Sequence, residues 1–299
     1  MLKTTITILF FVIFAFVFQG CRSSIANSTV ENQREITDDL GRKISLPSKI
    51  ERAVSLAPNL TETVFAIDAG DKIVGVTTYC NFPEQAKSIQ KIGDTMKPNI
   101  ENIIALKPQV VLVSTASQIE AFTKTLEEQN IAVFITNPNS LESIYKSIKQ
   151  LGEIFGKQEK SSVLVGDLQK RVAEIEAKTK AANKPKTFVQ ISKGSIFTIG
   201  KTSFMTDLIN RAGGVSVTEN IETAYPNLSK ETALALQPEV IILSESDDNK
   251  EPNDAFANSP AVKNSKVFKI NADVFSRPGP RVVDALEQIA KDLHPELFD

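Results

Sequence analysis

Fifteen residues of this chain occur twice. Residues 100–114 read IENIIALKPQVVLVS, and residues 230–244, 130 positions later, read KETALALQPEVIILS. Glu101/Glu231, Ala105/Ala235, Leu106/Leu236, Pro108/Pro238, Val110/Val240 and Ser114/Ser244 are identical pairs. Each copy reads as a short helix, a proline stop and a buried strand. A spacing this long is the size of a domain, whereas solenoid repeats recur every 20–50 residues or so. The duplication therefore predicts two similar α/β lobes, and two similar lobes predict a site between them.

The ends of the chain lie outside that scheme. Lys3 precedes an apolar run over 6–18, too short for the roughly 20 residues that span a bilayer and suited to a secretory leader. Gly20 directly before Cys21 resembles a bacterial lipobox, in which the cysteine is acylated and becomes the new N-terminus. The other reading is a plain signal peptide cleaved nearby, with Cys21 incidental. Acylation predicts a stable membrane anchor, and the polar stretch 22–34 predicts a tether. Residues 1–20 then form the leader, 21–34 the tether, 35–156 the N-terminal lobe, 157–184 a connecting helix and 185–299 the C-terminal lobe. The net charge of −2 gives no electrostatic case for nucleic acid. Cys80 has no partner in a chain whose other cysteine is acylated, which excludes a disulfide framework.

In the first lobe, apolar strand candidates fall at 53–57, 73–76, 109–113 and 131–135, separated by helical stretches. The second lobe repeats them at 187–191, 215–217, 239–243 and 266–270. Runs that are continuously apolar predict parallel sheets covered on both faces. A hairpin is predicted around Asp39-Leu40-Gly41. Between the lobes, residues 139–156 and 159–183 carry helical periodicity. The second run predicts a strut of roughly 37 Å that permits only a small closing motion. Asn99 and Ser229 are suitable N-caps, placing Glu101 and Glu231 in first helical turns, where a carboxylate stabilises the positive helix end. The alternative use is one fixed negative charge per lobe, offered to a twofold partner.

Enzyme signatures fail. No GxSxG, P-loop or GxGxxG occurs, and the single histidine, His294, reads as an exposed helix-end residue. One histidine also argues against a transition-metal site. A binding crevice is better supported, because ligands of open α/β sheets sit beyond the carboxyl ends of the strands. Walking off those ends gives loops carrying Asn59, Tyr79, Phe197, Tyr225, Asp273 and Arg277. Two of the three tyrosines, Tyr79 and Tyr225, fall one in each lobe, and their rigid faces suit the walls of a ligand site.

Residues 51–114, 225–244 and 273–295 (DVFSRPGPRVVDALEQIAKDLHP) resemble the extracytoplasmic solute-binding proteins of ABC importers for cobalamin, ferric siderophores or haem. The resemblance implies two Rossmann-like α/β lobes with parallel sheets, joined by a long backbone helix, and a monomer without enzymatic activity. It implies docking of Glu101 and Glu231 onto arginines of a permease dimer driven by ATPase subunits. It also implies ligand contacts from Tyr79, Tyr225 and Asp273, with cobalamin as cargo rather than as a resident cofactor. Cobalamin binders can carry tryptophan at the positions of Thr95, Tyr225 and Val274, and this chain has none. Ferric siderophore or haem is the alternative cargo, with Arg277 and Arg281 pairing with an anionic ligand. A surface hydrolase and a structural or signalling lipoprotein are the rivals from other classes.

Overall fold

Uninterrupted aliphatic runs form the centres of two parallel sheets in the computed structural model, which describes residues 33–115 and 120–298. The leader, Cys21 and the tether as far as residue 32 lie outside the described residues. The described chain opens with an antiparallel hairpin, β1 (Gln33–Thr37) and β2 (Lys43–Pro47). Gln33 and Arg34, assigned from the sequence to the tether, are therefore strand residues. Arg34 has a structural role: Nη1 donates to the Glu153 carbonyl at 2.6 Å and Nη2 to that of Ile154, capping a helix end whose carbonyls lack intrahelical partners. Asp38 closes the hairpin, its Oδ1 accepting from the Leu40 and Arg42 amides at 3.0 and 2.9 Å.

The first lobe is built on β3 (Ala53–Ser55), β4 (Ile73–Val76), β5 (Val110–Ser114) and β6 (Ala132–Thr136), in spatial order β4-β3-β5-β6. The second uses β7 (Lys186–Gln190), β9 (Val215–Ser216), β11 (Val240–Glu245) and β12 (Val267–Asn271), in order β12-β11-β7-β9. Read from the other edge, this is the same second-first-third-fourth arrangement. Between them in sequence, β8 (Ile196–Phe197) and β10 (Asn227–Leu228) pair as a small antiparallel flap.

The helices are α1 (Pro58–Ala66), α2 (Ile100–Ala105), α3 (Glu120–Glu128), α4 (Leu141–Ile154), α5 (Gln158–Thr179), α6 (Phe204–Arg211), α7 (Lys230–Leu236), α8 (Pro260–Lys263), α9 (Ala272–Phe275) and α10 (Val282–Leu293). The duplication extends to their caps and stops. Asn99 Oδ1 accepts from the Asn102 amide at 2.9 Å and Ser229 Oγ from the Thr232 amide at 3.1 Å. Lys107 and Gln237, again 130 apart, both take positive φ (48° and 41°) directly before a proline, a conformation uncommon outside glycine.

Side chains alternate faces along a strand, and this splits each aliphatic run between two cores. Val110 and Leu112 join a large central cluster, while Val111 and Val113 join an outer one. In the second lobe Val240 and Ile242 point to the same central cluster, and Ile241 and Leu243 to the second outer one. The central cluster is shared by both lobes and is filled by α1, α4, α5, α6 and α10, through Leu60, Ile148, Leu168, Leu208 and Ile289 among others. A fully buried aliphatic side chain stabilises the fold by about 1.5–3 kcal/mol, so the lobes are joined by a common core as well as by a strut. That strut, α5, ends at Thr179 rather than near 184, and its 22 residues span about 33 Å. Arg211 fastens α6 to the connecting helices, pairing with Asp207 at 3.0 Å, with Glu176 at 2.7 Å and with Glu142.

His294 is 3 % exposed and not at the surface. Its Nε2 donates to the Gly213 carbonyl at 3.2 Å. Gly213 sits at φ +84°, and a Cβ there would lie 2.7 Å from the imidazole, so the turn and the ring require each other.

Asp292, the penultimate residue of α10, carries a buried Oδ2 without a partner. Burial raises its carboxyl pKa, partly opposed by the hydrogen bond from Gln288. The folded protein thus holds this proton more tightly than the unfolded chain. The contribution to stability is full below the unfolded value of about 3.9 and is lost as pH rises through the folded value. Asp292→Asn should therefore raise Tm at pH 7, on the order of 2 °C. The gain should shrink toward pH 4, as followed by thermal melts across that range.

Candidate functional site

Parallel strands deliver their carboxyl ends to one side of each sheet, and the loops leaving them face each other across a crevice of about 370 Å³. Ser114 and Asn137, beyond β5 and β6, stand opposite Thr202, Tyr225, Ser276 and Pro278 of the second lobe. This volume lies within the range of small-molecule sites, roughly 300–1,000 Å³. Tyr225 thus lines the crevice, with its ring 45 % exposed. Burial of its hydroxyl raises the phenol pKa, opposed by a hydrogen bond with Ser203.

Behind Ser276 and Pro278 of the crevice wall lies a polar network built from both lobes. The carboxylate of Glu62, on α1, is only 2 % exposed. It accepts from Arg277 Nη1 at 2.8 Å, Arg281 Nε at 2.8 Å and Arg281 Nη2 at 2.7 Å. Arg281 therefore presents a fork to both carboxylate oxygens, the strong bidentate geometry. Hydrogen bonding to Glu62 raises the Arg281 pKa further and keeps it charged. The guanidinium also lies 4.1 Å from the Phe82 ring centroid, a cation–π contact. Arg277 donates in addition to Asn81 Oδ1 at 2.8 Å, Asp273 Oδ1 at 2.5 Å and the Tyr79 carbonyl at 3.3 Å. Asn81 returns a bond to Asp273 Oδ2 at 2.7 Å.

The sequence-derived site residues separate into groups. Asn59, Tyr79, Asp273 and Arg277 meet in this network, where Asn59 Nδ2 donates to the Pro278 carbonyl at 3.2 Å. A Cβ on Gly279 would lie 3.3 Å from the Asn59 carbonyl, so the two lobes' backbones nearly touch here. Tyr79 is 59 % exposed, leaving its ring free. Phe197 is half-exposed on the β8–β10 flap, two residues' pairing from Tyr225. Thr95 lies on a separate turn fixed by Asp94, whose Oδ1 accepts from the amides of Met96 and Lys97; among the sequence-derived ligand residues, Tyr225 is the one that lines the cavity itself. Arg277 and Arg281, expected to pair with an anionic ligand, here donate to Glu62, with Arg277 also bonding the Asp273 carboxylate and Arg281 the Asp273 carbonyl. Glu62 was missed. Its only sequence signal is a carboxylate on a helix whose neighbours Leu60, Thr61, Thr63 and Val64 are all buried.

Glu101 and Glu231 are both exposed, in the first turns of α2 and α7. Each helix precedes the third strand of its sheet, which places both glutamates at the carboxyl-end rim. The Glu231 carboxyl is held below its usual pKa by its own backbone amide and by Ser229, so here the capping role is realised. No helix among the described residues is long and apolar enough to cross a membrane.

The sequence profile of the periplasmic binding protein family matches residues 54–274. An uncharacterized ABC transporter substrate-binding lipoprotein of Bacillus subtilis is 30 % identical over 272 residues, spanning 88 % of this chain and 86 % of the relative. A vitamin B12-binding protein of Vibrio cholerae is 30 % identical over 257 residues, spanning 82 % and 90 %. The crystal structure of a periplasmic vitamin B12-binding protein of Vibrio cholerae superimposes with a TM-score of 0.73 at 28 % identity, over 83 % of this chain and 98 % of that one. A periplasmic haem-binding protein from Roseiflexus shares the fold, with a TM-score of 0.73 at 22 % identity over 83 % and 99 %.

Glu62→Ala would leave two buried guanidinium groups without their shared counter-charge. Breaking a buried pair in this way costs about 3–5 kcal/mol. Urea unfolding should show a loss of that size, and Asp38→Asn, far from the crevice, provides a comparison for a buried carboxylate within one lobe.

Proposed function

Given that the chain belongs to the periplasmic binding protein family, as a substrate-binding protein of an ABC importer, we propose that its cargo is cobalamin, taken up in the crevice between the lobes. The observation that carries this is the charge balance of the network beside the crevice wall. Two arginines meet two carboxylates, and their donors are spent on Glu62, Asp273, Asn81 and backbone carbonyls. A wall with half-exposed aromatic rings and, among the described residues that line it, no lysine or arginine suits a bulky ligand with an apolar face and a neutral amide rim. The relatives named for vitamin B12 support the same choice. Tyr79, Tyr225 and Phe197 would provide the faces, and Asn59 and Asp273 the polar rim, with Arg277 holding Asp273 in place from behind.

The delivery partner is a twofold permease with its ATPase subunits, engaged by Glu101 and Glu231. The anchor is Cys21, supported by the relative named as a lipoprotein. Binding without turnover is the expected behaviour, and the hydrolase reading loses its base because His294 is buried against Gly213.

Calorimetry with cyanocobalamin should show one site per chain, and Tyr79→Ala with Tyr225→Ala should weaken it at least about tenfold, equivalent to about 1.4 kcal/mol. Tighter binding of haem or a ferric siderophore than of cyanocobalamin would overturn the cargo assignment and leave the importer role intact. Glu101→Arg combined with Glu231→Arg should abolish uptake by cells while the Kd of the purified protein changes less than about threefold. Retained uptake in that double variant would reduce both glutamates to helix caps.

A further inference from the structure

We propose that Glu62 is a specificity-determining residue: by occupying the guanidinium groups of Arg277 and Arg281, it excludes carboxylate-bearing ligands from the crevice. The inference rests on the crevice being the ligand site. Three observations support it. Arg277 lies between Ser276 and Pro278, both of which line the cavity, and its guanidinium turns to Glu62, Asp273 and Asn81, so its charge stands beside the cavity wall rather than in it. Its side chain and that of Arg281 are 12 % and 21 % exposed, shielded from bulk solvent, where an unmatched charge is felt strongly. Glu62 supplies no ligand contact of its own, because its carboxylate is buried and receives three hydrogen bonds.

The charge count makes the argument quantitative. Arg277 and Arg281 carry two positive charges, and Glu62 and Asp273 two negative ones, for a sum of zero. Neutralising Glu62 leaves one net positive charge beside the crevice wall. Arg277 keeps Asp273 and Asn81 as partners, whereas Arg281 keeps only the Asp273 carbonyl and the Phe82 ring. A ligand carboxylate then replaces the lost counter-ion, and the guanidinium fork matches it bidentately. With Glu62 in place, the same carboxylate would face a site already neutral and would lose its hydration without gaining a partner.

The test compares haem with its dimethyl ester, which keeps the ring and removes both negative charges. In the unaltered protein the two should bind with affinities within about threefold of each other, by absorbance titration. In Glu62→Gln, which keeps an oxygen for the arginines, the preference for haem over the ester should rise at least about tenfold. Adding Arg281→Gln restores neutrality and should return the ratio to its starting value. Asp273→Asn, at a more exposed carboxylate, leaves the same net charge and should shift the ratio in the same direction, even where Glu62→Gln folds poorly. A ratio unchanged in both single variants, or a strong preference for haem in the unaltered protein, overturns the proposal. Failure of the cobalamin assignment would appear separately, as absence of cyanocobalamin binding with the haem-to-ester ratio still responding to Glu62.

Discussion

A carboxylate removed from water stays ionised only where cations replace its hydration, and for Glu62 both cations come from the other lobe. The constraint is therefore geometric as well as electrostatic. Glu62 is fixed by α1, whose buried face packs into the central core. Arg277 and Arg281 are fixed by the short helix α9 and the start of α10. Three hydrogen bonds of 2.7–2.8 Å can form together only in one relative placement of those elements. Ion pairs of this kind contribute specificity of arrangement more dependably than net stability.

The network has leverage because the rest of the interface is apolar and non-directional. The shared core draws α1, α4, α5, α6 and α10 together by excluding water, and hydrophobic burial specifies no single rotation between layers. Directional contacts supply it, among them the Glu62 network beside the crevice, the Arg211 cluster where α6 meets α4 and α5, and the pairing of Arg171 on α5 with Asp284 and Glu287 on α10. In the Arg211 cluster, Asp207 also accepts from the Leu141 amide at 2.9 Å, so one carboxylate serves both as an ion-pair partner and as a helix cap. These anchored regions and a common core leave little freedom for hinge motion. Small closure, expected from the strut alone, has a broader basis than the strut.

What the sequence disclosed was whatever depends on neighbours within a few residues. Strand positions followed from aliphatic runs, and observed bounds differ from expected ones by one or two residues, as at β5 and β11. The caps at Asn99 and Ser229 followed from side chains that can bond an amide three positions on. The split of VVLV between two cores follows from strand periodicity once both faces are known to be covered. The misses are all contacts across long stretches of chain. Glu62 finds its partners 215 and 219 residues away, His294 its carbonyl 81 residues away, and Arg34 its helix end 119 residues away. No local pattern distinguishes a buried histidine from an exposed one at a helix end. Arginines beyond a strand likewise look available for a ligand until the acid that neutralises them is found.

Neutralisation and exposure together shape what the crevice can recognise. The aromatic rings of Tyr79, Phe82 and Tyr225 remain substantially exposed although the polar groups beside them are paired. In most surfaces the reverse holds, with rings packed and ions solvated. Here the pairing of ions frees the rings, because Arg281 stacks on one face of Phe82 and turns its donors inward to Glu62. The same bonds that fix the lobes also remove strong charge from the recognition surface. Selectivity must then come from shape and from single hydrogen bonds at carboxylate lone pairs and amides, such as those of Asp273 and Asn81, which remain near the rim. Under the proposed reading, a lobe-joining ion network would take part in the site's chemistry without presenting a charge to the ligand.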